Sequence, residues 1–119
     1  MVQASCHCGD VQLEIARAPT EVTDCNCSIC RRYGVLWAYY ALDEVAVSVA
    51  GGGTDVYIWG DRSNAFHRCR TCGCVTHWSA LEPGRNRMGI NARLLTPQVL
   101  AQARVRRLDG ADTWRYLDE

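Results

Sequence analysis

The sequence predicts a mainly antiparallel β fold with one or two short helices. Short apolar runs alternate with polar residues along the 119-residue chain, the period of strands with one buried face. Gly, Pro, Asp and Asn break these runs at short intervals, leaving room for turns and little for long helices. Eight cysteines fall in tight groups, which predicts that metal helps to pin the strands.

The expected strands, in order, are VQLEIA at 11–16, LWAYYAL at 36–42, VAVSVA at 45–50, TDVYIWG at 54–60, NAFHRC at 64–69, CVTHWSA at 74–80 and RMGINA at 87–92. The run AGGGTD at 50–55 reads as a turn between two of them. Helix signals are weak. One helical turn is expected after Cys27, through Tyr33. A second is expected at TPQVLAQA, where Thr96 caps and Pro97 suits the first helical position.

A chain of this length fits one domain, 1–119, and can bury a real core. Its hydrophobic content of 48% argues against disorder. The 13 basic residues, all arginine, balance 13 acidic ones, so nothing draws the whole chain toward nucleic acid or an anionic membrane. The N-terminus MVQASCHCGD lacks the pattern of a secretory signal. No run approaches the ~20 apolar residues of a membrane helix. A cytoplasmic location is therefore expected, and there a dense cysteine set reads as metal-binding or catalytic before it reads as disulfides.

The cysteines form three groups: CHCG with Cys6 and Cys8, CNCSIC with Cys25, Cys27 and Cys30, and CRTCGC with Cys69, Cys72 and Cys74. The unit C-x-x-C-G is a zinc knuckle, a tight turn whose glycine lets amide N–H groups point at the sulfurs. CHCG is a shorter version. Cys6, Cys8, Cys69 and Cys72 thus make one closed, four-thiolate structural site that contributes directly to folding. In CNCSIC all three thiols reach one ion if the chain turns at Ser28. Three protein ligands leave a fourth position open, the arrangement of a catalytic or ligand-binding zinc, and an exogenous thiolate suits so soft a site.

Other readings stand beside these. The cysteines form disulfides, or Cys74 or a histidine closes the second zinc site. Cys74 alone reads as a small buried hydrophobe. His7, between two ligands, is expected to point away from the metal. His67 and His77 read as satisfied strand histidines, and Tyr39, Tyr40, Trp59 and Trp78 as core or sheet-face residues.

SCHCGDVQLEI, CNCSICRRYG and CRTCG, in that order, together resemble the glutathione-dependent formaldehyde-activating enzyme family. The C-terminal MGINARLLTPQVLAQARVRRLDGADTW is similar too, with its Asp109–Gly110 turn ahead of Trp114. The resemblance implies an Mss4-like β-tent: antiparallel sheets pinned by zinc. It implies two zinc ions, with Cys6, Cys8, Cys69 and Cys72 on the structural one and Cys25, Cys27 and Cys30 on the catalytic one. One position departs from the family pattern: Arg68 stands where an aromatic residue often precedes the late C-x-x-C-G, with Phe66 two positions earlier.

The implied activity is that of a carbon–sulfur lyase: glutathione and formaldehyde joining to S-hydroxymethylglutathione, and the reverse. The implied partner is a small thiol such as glutathione. Zinc favours the thiolate, and holding thiolate and carbonyl together lowers the entropic part of the barrier. A zinc that already bears three thiolates is a poor Lewis acid, so such a site holds more than it activates. Arg31 and Arg32, directly after Cys30, are the expected partners for the ligand's carboxylates. Asp24, His77 and solvent are the candidates for general base. Two other function classes compete. One is a non-catalytic zinc module for a protein or nucleic acid, the latter drawn to the basic cluster ARVRR at 103–107. The other is a thiol redox or metal-buffering protein with a reversible Cys25–Cys30 disulfide.

Overall fold

The alternation in the sequence resolves into two sheets that share one core. The computed structural model describes residues 1–118. In chain order its strands are β1 (Val2–Ser5), β2 (Val11–Ile15), β3 (Glu21–Cys25), β4 (Trp37–Tyr40), β5 (Val45–Val49), β6 (Thr54–Tyr57), β7 (Asn64–Cys69), β8 (Val75–Ala80), β9 (Met88–Asn91) and β10 (Arg104–Leu108). Helix α1 (Cys30–Tyr33) lies between β3 and β4, and α2 (Pro97–Leu100) between β9 and β10. The small sheet runs β1-β2-β5, the large one β10-β3-β4-β9-β8-β7-β6. The mainly antiparallel β fold with two short helices is as the sequence predicts.

The core follows from strand period. On β2, Val11, Leu13 and Ile15 are fully buried while Gln12 is exposed and Glu14 half-buried. They pack on Val22, Ala38 and Ile90 from the inner face of the large sheet. Each such side chain contributes about 1.5–3 kcal/mol when fully buried. Because side chains alternate, Trp37 and Tyr39 on β4 face outward, opposite Ala38 and Tyr40, and join Phe66 and Trp78 around the cysteine triplet.

Each expected strand has its counterpart, with shifted ends. β6 stops at Tyr57, so Trp59 lies beyond it and exposed, not in a sheet. Thr96 Oγ1 accepts a 3.4 Å hydrogen bond from the Val99 N–H, and Pro97 opens α2, as its sequence indicates. β1, β3 and β10 are additional. β10 pairs parallel to β3, Arg104 opposite Glu21 through Leu108 opposite Cys25, an exception in an otherwise antiparallel sheet. The expected basic cluster at 103–107 is thus an edge strand, and its charges are met. Arg104 and Arg106 reach Glu21 at 4.0 and 3.7 Å, and Arg107 reaches Asp118 at 2.9 Å. No helix among the described residues is long and apolar enough to cross a membrane.

Candidate metal centres and an aromatic cleft

Two hairpin turns build the first centre. Cys6 and Cys8 lie in the β1–β2 turn, closed by the Cys6 N–H on the Val11 carbonyl at 3.0 Å. Cys69 ends β7, and its turn closes through the Gly73 N–H on the Cys69 carbonyl at 2.9 Å. Gly9 and Gly73 take φ of 88° and 81°, the left-handed conformation such knuckles need. The four sulfurs of Cys6, Cys8, Cys69 and Cys72 all lie within 4.8 Å of one another. Cys6 Sγ to Cys8 Sγ is 3.7 Å, and Cys8 Sγ to Cys69 Sγ is 3.6 Å. A tetrahedron with ~2.3 Å zinc–sulfur bonds has edges of roughly 3.8 Å, so the donor set fits zinc. Amides support the charge it requires. The Val11 N–H reaches Cys6 Sγ at 3.3 Å, and the N–H groups of Cys74 and Cys8 lower the Cys72 thiol to about 5. The site ties the small sheet to the large one. Thr71 Oγ1 donates to Asp10 Oδ2 across the same junction at 2.8 Å.

The second centre joins the end of β3 to α1. The sulfurs of Cys25, Cys27 and Cys30 lie within 4.8 Å of one another, Cys25 and Cys30 being buried. The turn at Ser28 brings them together: the Arg31 N–H bonds the Cys27 carbonyl at 3.1 Å. Trp37 Nε1–H donates to Cys30 Sγ at 3.3 Å, and the Cys30 N–H reaches Cys27 Sγ at 3.5 Å. A hydrogen bond from Cys30, with the N–H groups of Cys27 and Gly110, draws the Cys25 thiol down to about 6. Cys30 is held protonated, far above its ordinary range, by Cys25 and by burial. A bound cation reverses that and takes all three as thiolates, and the soft, clustered sulfur set fits zinc.

A C-terminal strap completes this centre. Asn26 Nδ2 donates to Asp109 Oδ1 at 3.0 Å, and Asn26 Oδ1 accepts the Ala111 N–H at 2.9 Å. The strap then passes so close that a Cβ on Gly110 would collide with Cys25 Sγ. Only glycine fits there.

The three sulfurs face a cleft of about 820 Å³, within the usual size of small-molecule sites. Its walls are aromatic, with Trp37, Tyr39, Trp59, Phe66, Trp78 and Trp114 among them, and its cations are Arg85 and Arg87. The Asn64 side-chain oxygen is buried there with no hydrogen-bond partner among the described residues.

The structure therefore brings together both predicted cysteine groups. All eight cysteines are free thiols, so neither centre is a disulfide. No histidine or carboxylate among the described residues joins either group, and Cys74, half-buried, lies outside both. His7 is exposed. Arg31 and Arg32 are not brought to the cleft. Both are exposed on α1, and Arg32 Nη1 turns back to the Ser28 carbonyl at 2.7 Å. Asp24 is exposed and does not line the cleft. His77 is buried elsewhere, stacked on His67 with centroids 4.2 Å apart. The departure at Arg68 leaves the cleft wall intact, because Phe66 packs at 6.1 Å on Trp37 while Arg68 points to Asp55 at 3.9 Å. Arg85, Arg87 and Asn64 are site residues that sequence reading misses. They lie far from the cysteine triplet in sequence and carry no motif.

Comparison with known proteins agrees with this geometry. The crystal structure of a Rhodobacter sphaeroides protein, a structural-genomics target, superposes with a TM-score of 0.70 at 29% identity, covering 87% of this chain and 98% of its own. No curated protein matches the chain. The family model described as glutathione-dependent formaldehyde-activating enzyme matches residues 1–106, nearly the whole chain and both cysteine groups. The chain belongs to that family.

Proposed function

We propose that this protein is a zinc-dependent carbon–sulfur lyase. It joins a small thiol such as glutathione to formaldehyde or another aldehyde, and splits the adduct in reverse, as an S-hydroxymethylglutathione synthase does. One observation carries the reading: three clustered sulfurs, two of them buried, present an ion-binding face to an 820 Å³ cleft, with no fourth protein ligand among the described residues. A bound zinc supplies one coordination position and a positive charge that favours thiolate over thiol.

The chain's own groups do the rest. The N–H groups of Trp37 and Gly110 hold negative charge on Cys30 and Cys25. The cleft holds thiolate and aldehyde together beside its aromatic walls. In the forward step sulfur attacks the carbonyl carbon, the C–S bond forms, the carbonyl π pair moves to oxygen and that oxygen takes a proton. Neither Asp24 nor His77 lines the cleft, whereas the Asp61 carboxylate does, so Asp61 and solvent are the groups there that can exchange a proton. The closed centre stays structural. A neutral formal charge and the ion-paired arginines of β10 count against a nucleic-acid partner.

The test begins with cobalt in place of zinc. Glutathione should shift the thiolate charge-transfer bands of one of two bound ions, saturably. Formaldehyde–glutathione exchange, followed by nuclear magnetic resonance, should then run faster with the zinc protein than without it. Binding without acceleration would make the chain a non-catalytic thiol-binding module. No spectral change with two ions bound would close the site and end the proposal.

A further inference from the structure

We infer that Trp114 is a further ligand-binding residue: its indole covers the sulfur end of an external thiol held at the three-cysteine face. This rests on the reading that the face accepts such a thiol, and it names the group that closes over it.

Backbone strain singles the residue out. Among the described residues, two that are not glycine have positive φ, Arg62 at 59° and Trp114 at 60°. Glycine takes this left-handed conformation freely, whereas a bulky side chain does so at a cost. Such strain persists where the surroundings impose it, and it gathers at binding sites. Both residues lie in loops that line the cleft, the first through Trp59 and Ser63, the second through Gly110 and Trp114 itself.

The turn at Asp109 imposes the strain on Trp114. The Trp114 N–H donates to the Asp109 carbonyl at 2.8 Å, and the Asp109 N–H donates to the Arg115 carbonyl at 2.9 Å. The Thr113 hydroxyl donates to Asp109 Oδ2 at 2.9 Å. Asp109 Oδ1 accepts from Asn26 Nδ2, on the residue between Cys25 and Cys27, at 3.0 Å. The hydrogen bonds that fix Trp114 are therefore tied to the cysteine triplet itself.

This places the indole beside a sulfur. A Cβ on Gly110 would overlap Cys25 Sγ and also touch Trp114 Cζ3 at 3.7 Å. The indole edge thus stands no more than two van der Waals contacts from Cys25 Sγ. Yet Trp114 is 70% exposed. An apolar face left to water, held rigidly at the rim of the sulfur cluster, is a surface that an incoming ligand buries. The sulfur and the carbon bonded to it are the parts of a bound thiol nearest that face, and sulfur packs well on aromatic rings. The contact is shared by every thiol that reaches the metal, whatever its far end carries.

The experiment uses the full chain. Cobalt-loaded wild type, Trp114→Ala and Trp114→Gly are titrated with glutathione and with 2-mercaptoethanol at the thiolate charge-transfer band. Trp114→Ala should weaken both thiols about tenfold, the order expected from losing one partly buried indole, and should keep both metal ions. Trp114→Gly should bind as weakly as Trp114→Ala yet melt higher, because glycine is at ease at this φ. In the zinc-loaded wild type, glutathione should shift tryptophan emission to the blue, and Trp114→Phe should abolish that shift. Undiminished binding of both thiols by Trp114→Ala would overturn the inference and leave the thiol-binding reading standing. So would a loss confined to glutathione, which would put the indole at its far end, or loss of a metal ion, which would make Trp114 a support for the centre. Silence of the wild-type cobalt spectrum toward both thiols would overturn both.

Discussion

The two cysteine centres use the same donor chemistry and differ in what surrounds it. The four-sulfur centre sits where two hairpin turns meet and completes its own tetrahedron. The three-sulfur centre sits at the end of a strand, backed by Trp37 and Gly110 and fronted by a cleft. One cysteine fewer and a ring-lined void separate a closed sulfur cluster from an open one. Stability and binding are therefore separable in this fold, and mutations at the two ends should behave differently.

The largest effect tests that separation. Cys69→Ser removes a sulfur of the four-cysteine cluster that is 1% exposed at the junction of the two sheets. It should cost about 5 kcal/mol or more, since structural zinc binding is itself folding free energy on the order of 10 kcal/mol. Cys27→Ser should leave the fold standing and release one metal equivalent. Metal counting alongside thermal unfolding distinguishes the two. Equal destabilisation by both would erase the contrast.

The β7–β8 hairpin serves both ends, and acid should loosen it. Burial, with His67 beside it, lowers His77 to about 3. The unfolded side chain titrates near 6.5. Between those values the unfolded chain takes up a proton that the folded chain refuses, so stability falls as pH drops from about 6.5 toward 3 and is unaffected above. The loss is on the order of a few kcal/mol. Thiolate protonation adds its own acid lability, common to wild type and variant. His77→Gln should therefore flatten the acid limb of a stability–pH curve relative to wild type, whatever its starting stability. An unchanged slope would remove His77 from the account.

A smaller, local effect belongs to the open end. Gly110→Ala forces the strap away from Cys25, because the new methyl has no room beside Sγ. The loss should be about 10- to 100-fold in affinity at the second metal, as for other groups that support a ligand, with the first metal retained. Competitive chelation resolves the two ions. A loss shared by both would mean that the strap supports the whole fold.

These residues also show what was legible in the sequence. The closed centre was readable because knuckle turns are local: C-x-C-G and C-x-x-C-G specify their own geometry, and pairing them needs only the count of four. β2 was readable from alternation against a buried core. β3 was not, because EVTDC buries Thr23 beside Val22 and breaks the period. β10 reads as a charge cluster because the neighbour that makes it a strand is β3, some 80 residues earlier, joined in parallel without a turn to announce it. The cleft was the least legible part. Trp78 and Tyr39 read as sheet-face residues, which they are. That this face lies open beside the cysteines depends on long-range strand pairing in the large sheet, and no local pattern encodes that.

The smallest effect is the one expected of Arg31 and Arg32, and it sharpens the contrast between nearness in sequence and nearness in space. Adjacent to Cys30, they are the natural choice for a ligand's carboxylates. Yet α1 turns both to solvent, and Arg32 is engaged by the Ser28 carbonyl. Exposed arginines outside the cleft contribute only a screened, long-range attraction to an anionic thiol. The double variant Arg31→Ala/Arg32→Ala should therefore change glutathione affinity by no more than about twofold at physiological salt, while Arg85→Met/Arg87→Met lowers it about tenfold. The cobalt charge-transfer titration reads both. A tenfold loss in the first pair and none in the second would mean that the ligand leaves the ring-lined cleft and lies along α1, so that the sequence neighbour, not the spatial one, holds the carboxylate.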